Sequence, residues 1–98
     1  MEIEFEDQAL DRLETDARFT ANYPAAVVSA YRKHLQIVRA AVDERDLSHL
    51  ESLRFQQLSG DQAHQYAMQL QDQWRLTMEL RGNGKEKIAY VVGIEERH

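Results

Sequence analysis

The chain contains no cysteine. Disulfides, thiolate zinc sites and cysteine nucleophiles are therefore excluded. Its four histidines are scattered, without the close pairing typical of a metal site. No apolar run approaches the ~20 residues needed to span a bilayer. The opening Met1-Glu2-Ile3-Glu4-Phe5-Glu6 is acidic and alternating, unlike the basic head and apolar stretch of a secretion signal. Together these features predict a cytoplasmic protein. An excess of positive charge is also missing: the formal net charge is −5, which argues against broad electrostatic binding to nucleic acid. A local basic patch remains compatible with that sum, because the field depends on where charges sit. Internal repeats, linkers and low-complexity segments are absent as well.

What is present is a soluble globular composition, 43% hydrophobic and 30% charged over 98 residues. A chain this short buries roughly 60–70% of its unfolded surface in one core, so a single domain covering residues 1–98 is expected. Ile3 and Phe5 alternate with glutamates as in a half-buried strand. Asp7 is placed to cap a helix over about residues 8–18 that buries Leu10 and Leu13. The single proline, Pro24, suits the first turn of a second helix, with Asn22 as cap. Val28, Tyr31, Leu35, Val38 and Val42 recur at spacings of three and four, so that helix should run to about residue 44. Arg32, Lys33, Gln36 and Arg39 then fall on the wet face, and His34, His49 and His64 are read as surface residues.

The second half alternates. Leu53 and Phe55 lead to a turn at Ser59-Gly60-Asp61, and Tyr66, Met68 and Leu70 form one face of a strand. Gln71-Asp72-Gln73 reads as a hairpin loop. Trp74, Leu76, Met78 and Leu80 then face inward, with Arg75, Thr77 and Glu79 outward. Gly82-Asn83-Gly84 is a strong turn signal. Ile88, Tyr90, Val92 and Ile94 complete a further strand, so Tyr66 and Tyr90 are both expected to pack in the core. The predicted class is α+β: an N-terminal strand, a two-helix hairpin, then a three- to four-stranded antiparallel sheet with one face on the helices and the other open. On periodicity alone, Arg75 is either a solvated arginine paired with a neighbouring glutamate or a cation displayed on a rigid strand for a ligand.

The stretch "LRFQQLSGDQAHQYAMQLQDQWRLTMEL", with its Leu58-Ser59-Gly60-Asp61 turn, and the ending "VVGIEERH" resemble the HigB branch of the RelE/ParE toxin superfamily (plasmid maintenance system killer family) over about residues 53–98. The resemblance implies the RelE-like fold and a toxin of a type II toxin–antitoxin system. It further implies ribosome-dependent cleavage of messenger RNA without metal or other cofactor. Neutralisation would come from a helix-turn-helix, HigA-like antitoxin. Such chemistry drives a ribose 2′-OH onto the adjacent phosphate. It needs a base, cationic donors for the charge that develops on phosphorus, and an acid for the leaving 5′-oxygen.

Carried over position by position, Arg75 matches the family's strand arginine and is assigned to phosphate contact. His98 matches the terminal histidine and suits proton transfer. Glu96 stands where relatives usually have Asp and is expected to orient or accept a proton, so that Arg75, His98 and Glu96 form the expected catalytic set. The sequence also departs from the family. Arg97 replaces an aromatic residue, Gln56 lies about where a histidine is found, and Ser59 and Gln62 stand at positions often basic. Arg54 and Arg97 compensate part of that charge, so Arg54, Arg97, Gln56 and Gln62 form the expected substrate-binding set. Two other readings follow from the thinned pocket and the shared scaffold. One is a catalytically weakened module that binds antitoxin or modulates repression; the other is a ParE-type gyrase inhibitor.

Overall fold

A computed structural model describes residues 1–83 and 86–97. Gly84 of the predicted turn and His98 of the predicted catalytic set lie outside the described residues.

The first strand, β1 (Glu2–Phe5), leads into helix α1 (Gln8–Thr15), whose N-terminus is closed by the Asp7 carboxylate accepting from the Leu10 amide at 2.9 Å. This is the N-cap the sequence announces. Helix α2 spans Ala25–Ala40. Pro24 stands one position earlier than expected, as the N-cap with an extended ψ of 145°, and no side chain caps this end. Asn22 instead adopts a left-handed φ of 64° in the connecting turn. Leu10, Leu13, Val28, Tyr31, Leu35 and Val38 are buried, as expected, and Val27 joins them. The stripe ends there. Ala41 turns extended, a short helix α3 (Glu44–Ser48) follows, and Val42 is 70% exposed instead of extending the apolar face.

Two residues assigned to water are structural. Arg32 reaches across the hairpin and donates to the main-chain oxygens of Leu13, Asp16 and Phe19 at 2.9, 3.0 and 3.1 Å. It thereby satisfies carbonyls that a helix C-terminus leaves unpaired. His34 is half-buried, and its Nε2 donates to the Gln69 carbonyl of the sheet at 2.8 Å. Burial holds its pKa below the ordinary value, opposed by the carbonyls of Gln69 and Ala30.

The sheet comprises β1, β2 (Gln56–Gln57), β3 (Gln65–Gln71), β4 (Trp74–Arg81) and β5 (Ile88–Glu96), in the order β1-β5-β4-β3-β2. Strands β2 to β5 are antiparallel neighbours, as expected. The N-terminal strand adds a parallel edge, with Ile3 beside Ala89 and Phe5 beside Val91. The sheet is therefore mixed; a parallel pair requires a long connection, and here it consists of the helices followed by β2, β3 and β4.

Strict alternation fails in β5. Thr77 pairs with Gly93 but Met78 pairs with Val91, so Val92 is the extra residue of a β-bulge. A one-residue slip exchanges the faces of a strand. Ala89 and Val91 are consequently buried in the core, and Ile94 rejoins it beyond the bulge. Tyr90, expected inside, lies opposite Glu79 on the open face, where the Arg81 guanidinium stacks 3.6 Å from its ring centre.

Candidate functional site: an arginine groove on the open face

Leu76 and Met78 in β4 have no exposed surface, so their neighbours Arg75 and Thr77 project to the other side. At the middle of the sheet Ala67 and Thr77, directly paired across β3 and β4, are both small and buried. The Thr77 hydroxyl donates to the Gly93 carbonyl at 3.3 Å. Beside Ala67 lie two adjoining cavities of about 260 and 280 Å³ that share Gln56, Arg75 and Arg97. Arg54 lines the first and Gln62 the second.

Each cation reaches this place by a different local route. Arg75 stands on the central hairpin, opposite Gln69 on β3 and Glu95 on β5. Arg97 lies beyond β5, yet its amide still donates to the Gln73 carbonyl at 2.7 Å, which holds the segment against the β3–β4 hairpin. Arg54 follows a single turn of 3-10 helix, with φ 49° and ψ 45°. A left-handed conformation costs a residue with a Cβ about 1–2 kcal/mol, and such strain concentrates at functional positions. Gln62 ends another short turn, which begins at Gly60 with φ 67°.

The structure thus gathers Arg54, Gln56, Gln62, Arg75 and Arg97. Glu96, expected with them, lines neither of these two cavities: it pairs in register with Trp74 and borders a neighbouring cavity that shares Asp72, Gln73 and Trp74 with the first. The reason is again alternation, since Arg75 faces Glu95 and the next residue points to the helix side. Glu95 forms the ion pair with Arg75, its Oε1 accepting a hydrogen bond from Nε and lying in ion-pair contact with Nη2. Sequence reasoning anticipated a glutamate partner for Arg75 but did not identify it. Pairing β4 with β5 across the bulge would have been needed.

Charge separates this groove from a larger cavity, of about 890 Å³, between β1, the end of α2 and the start of β5. Its cations are already committed, Arg39 to Glu14 by two hydrogen bonds of 2.9 and 2.7 Å and Lys87 to Glu44. Among the described residues, no carboxylate pairs with the guanidinium of Arg54 or Arg97. Unpaired guanidinium groups beside a cavity are ready donors for a phosphate or carboxylate. The smaller cavities therefore form the better anion site. No three His, Asp or Glu side chains among the described residues are grouped to hold a metal ion, and no helix among them is long and apolar enough to cross a membrane.

Residues 3–92 match the sequence family described as RelE-like toxin of type II toxin-antitoxin system HigB. A solved structure described as a YoeB/ParE toxin from Agrobacterium tumefaciens is similar to the chain with a TM-score of 0.62, over 100% of both chains and at 16% sequence identity. At that identity the likeness is one of fold. Comparison with curated protein sequences gave no match.

Proposed function

Because the chain belongs to the HigB family of RelE-like toxins of type II toxin–antitoxin systems, and such a toxin implies an antitoxin partner, we propose that it cleaves messenger RNA on the ribosome. The observation that carries this reading is the convergence of Arg54, Arg75 and Arg97 on adjoining cavities of the open face. In the reaction, the ribose 2′-oxygen attacks phosphorus and the bond from phosphorus to the 5′-oxygen breaks. A base takes the 2′-OH proton, and an acid supplies a proton to the leaving oxygen. The products are a 2′,3′-cyclic phosphate and a free 5′-hydroxyl. Arg75 donates to the phosphate oxygens, whose charge grows as the fifth oxygen approaches. Arg54 and Arg97 add positive charge around the same phosphodiester, and the amides of Gln56 and Gln62 offer donors and acceptors to the adjoining nucleotides. His98 is the proposed acid, by its match to the family's terminal histidine. The reading places the toxin in the cytoplasm, where a HigA-like helix-turn-helix antitoxin would neutralise it.

Induction of the gene without its antitoxin should arrest growth, and Arg75→Ala should relieve the arrest. Continued growth with the intact protein accumulating in soluble form contradicts the proposal. The neutral Gln56, Ser59 and Gln62 favour a second reading, a module that binds antitoxin without cleaving RNA. Antitoxin capture with messenger RNA left intact in a translating extract selects that one. Inhibition of gyrase in a supercoiling assay would instead select the ParE-type activity.

A further inference from the structure

The guanidinium of Arg75 has two donor edges, and the ion pair occupies one of them. Nε and Nη2 both meet Oε1 of Glu95, while Nη1 has no partner among the described residues. The arginine side chain is only 17% exposed, against 43% for the glutamate. The arginine is thus the less exposed member of the pair. Gln69, the neighbour of Arg75 on β3, does not share this role, because its side-chain amide donates to the Asp72 carbonyl at 2.9 Å. Yet Arg75 lines both cavities, so its guanidinium is engaged by Glu95 while the residue borders open space.

A free arginine samples many rotamers, and fixing one in advance removes a cost that a ligand must otherwise meet. A carboxylate on the Nε edge leaves the Nη1–Nη2 edge to donate two parallel hydrogen bonds to a phosphate. Resting on the nuclease reading above, we infer that Glu95 is a positioning residue: it clamps Arg75 by one edge and thereby presents the other edge to the phosphodiester. Glu95 stays in place when phosphate binds and is not displaced by it. Glu96, on the opposite face, has no access to this clamp.

Two measurements test the inference, and one of them needs no catalysis. In ¹⁵N–¹H spectra of the arginine side chains of the free protein, the Arg75 Nε–H should give a distinct, slowly exchanging signal. Glu95→Gln should abolish that signal and Glu95→Asp should retain it. Titration with inorganic phosphate should move the Arg75 Nη signals and leave Nε unchanged. Loss of the Nε signal as phosphate binds would show that Glu95 competes for the same edge, and would overturn the inference. In single-turnover cleavage on programmed ribosomes, Glu95→Gln should slow the rate at saturation by about tenfold, as expected for a misaimed catalytic group. The half-saturating concentration should change less than about twofold, and Glu95→Asp should recover most of the rate. Equal or faster cleavage by Glu95→Gln would also overturn it. Absence of cleavage by the unmodified protein refutes the nuclease reading alone, and the phosphate titration then decides the role of Glu95.

Discussion

The groove on the open face and the cavity beside β1 both contain basic residues, and they differ in what those residues are doing. Beside β1, Arg39 and Lys87 are held by Glu14 and Glu44, so their charge is spent within the protein. In the groove, Arg54 and Arg97 lack such partners among the described residues, and Arg75 has one edge engaged. Volume points to the first region and available charge to the second. For a protein whose formal net charge is −5, the number of cations matters less than the number left unneutralised at one place.

Removing single cations should affect the two regions very differently. Arg75→Ala should lower cleavage in a translating extract by at least about 100-fold, the scale on which loss of a donor to a developing oxyanion acts. Arg54→Ala and Arg97→Ala should each cost roughly tenfold, because they contribute charge near the phosphate without being held as Arg75 is. Arg39→Ala serves as the opposite case: cleavage should stay within about twofold, and thermal unfolding should register a stability loss of about 0–1 kcal/mol, as for other exposed ion pairs.

Arg54 also allows stability and activity to be separated. Glycine accepts the left-handed φ of 49° without the penalty carried by a Cβ. Arg54→Gly should thus match or exceed Arg54→Ala in stability by up to about 1 kcal/mol, with the same loss of cleavage. A denaturant titration of the two variants checks the ordering.

The smallest effect is expected from acid, which should reach the two regions at different pH. The pKa of His34 is lowered by burial in the folded protein, so the unfolded chain binds the proton more readily. Its packing against Gln69, beneath the groove, is therefore undisturbed above the ordinary value of 6.5 and becomes a penalty as the pH falls below it. The Glu44 carboxyl is also lowered, first by its hydrogen bond from Lys87. That contribution is present above the ordinary value of 4.5 and is lost as the pH falls from there through the lowered folded value. Melting temperatures between pH 7 and 5 should decline less for His34→Gln than for the unsubstituted protein, whereas Glu44→Gln should alter the profile only below about pH 4.5.

Much of this architecture is legible in the sequence, where local chemistry and global packing agree. Asp7 announces a cap, the spacing of Val28, Tyr31, Leu35 and Val38 sets a buried helical face, and the polar break after Leu70 marks the β3–β4 hairpin. The remainder depends on contacts between distant segments. Nothing local reveals that Val92 is a bulge, yet that one residue sends Tyr90 outward and Val91 inward. Arg32 and His34 look like surface residues on a helical wheel, and only the approach of α1 and β3 gives them carbonyls to meet. The exchange of Glu96 for Glu95 beside Arg75 has the same origin, because face assignment across a sheet requires the register of both strands. Convergence of Arg54, Arg75 and Arg97 was anticipated through a family resemblance; periodicity alone could have placed only Arg75 on the open face.

If the open-face arginines handle a phosphodiester of messenger RNA, mapping of RNA ends in a reconstituted translation reaction will reveal it. With the unmodified protein, new ends should appear only on ribosome-bound message, carrying 2′,3′-cyclic phosphate upstream and 5′-hydroxyl downstream, and they should vanish with Arg75→Ala. Intact message throughout, or ends that persist undiminished in Arg75→Ala, would contradict it.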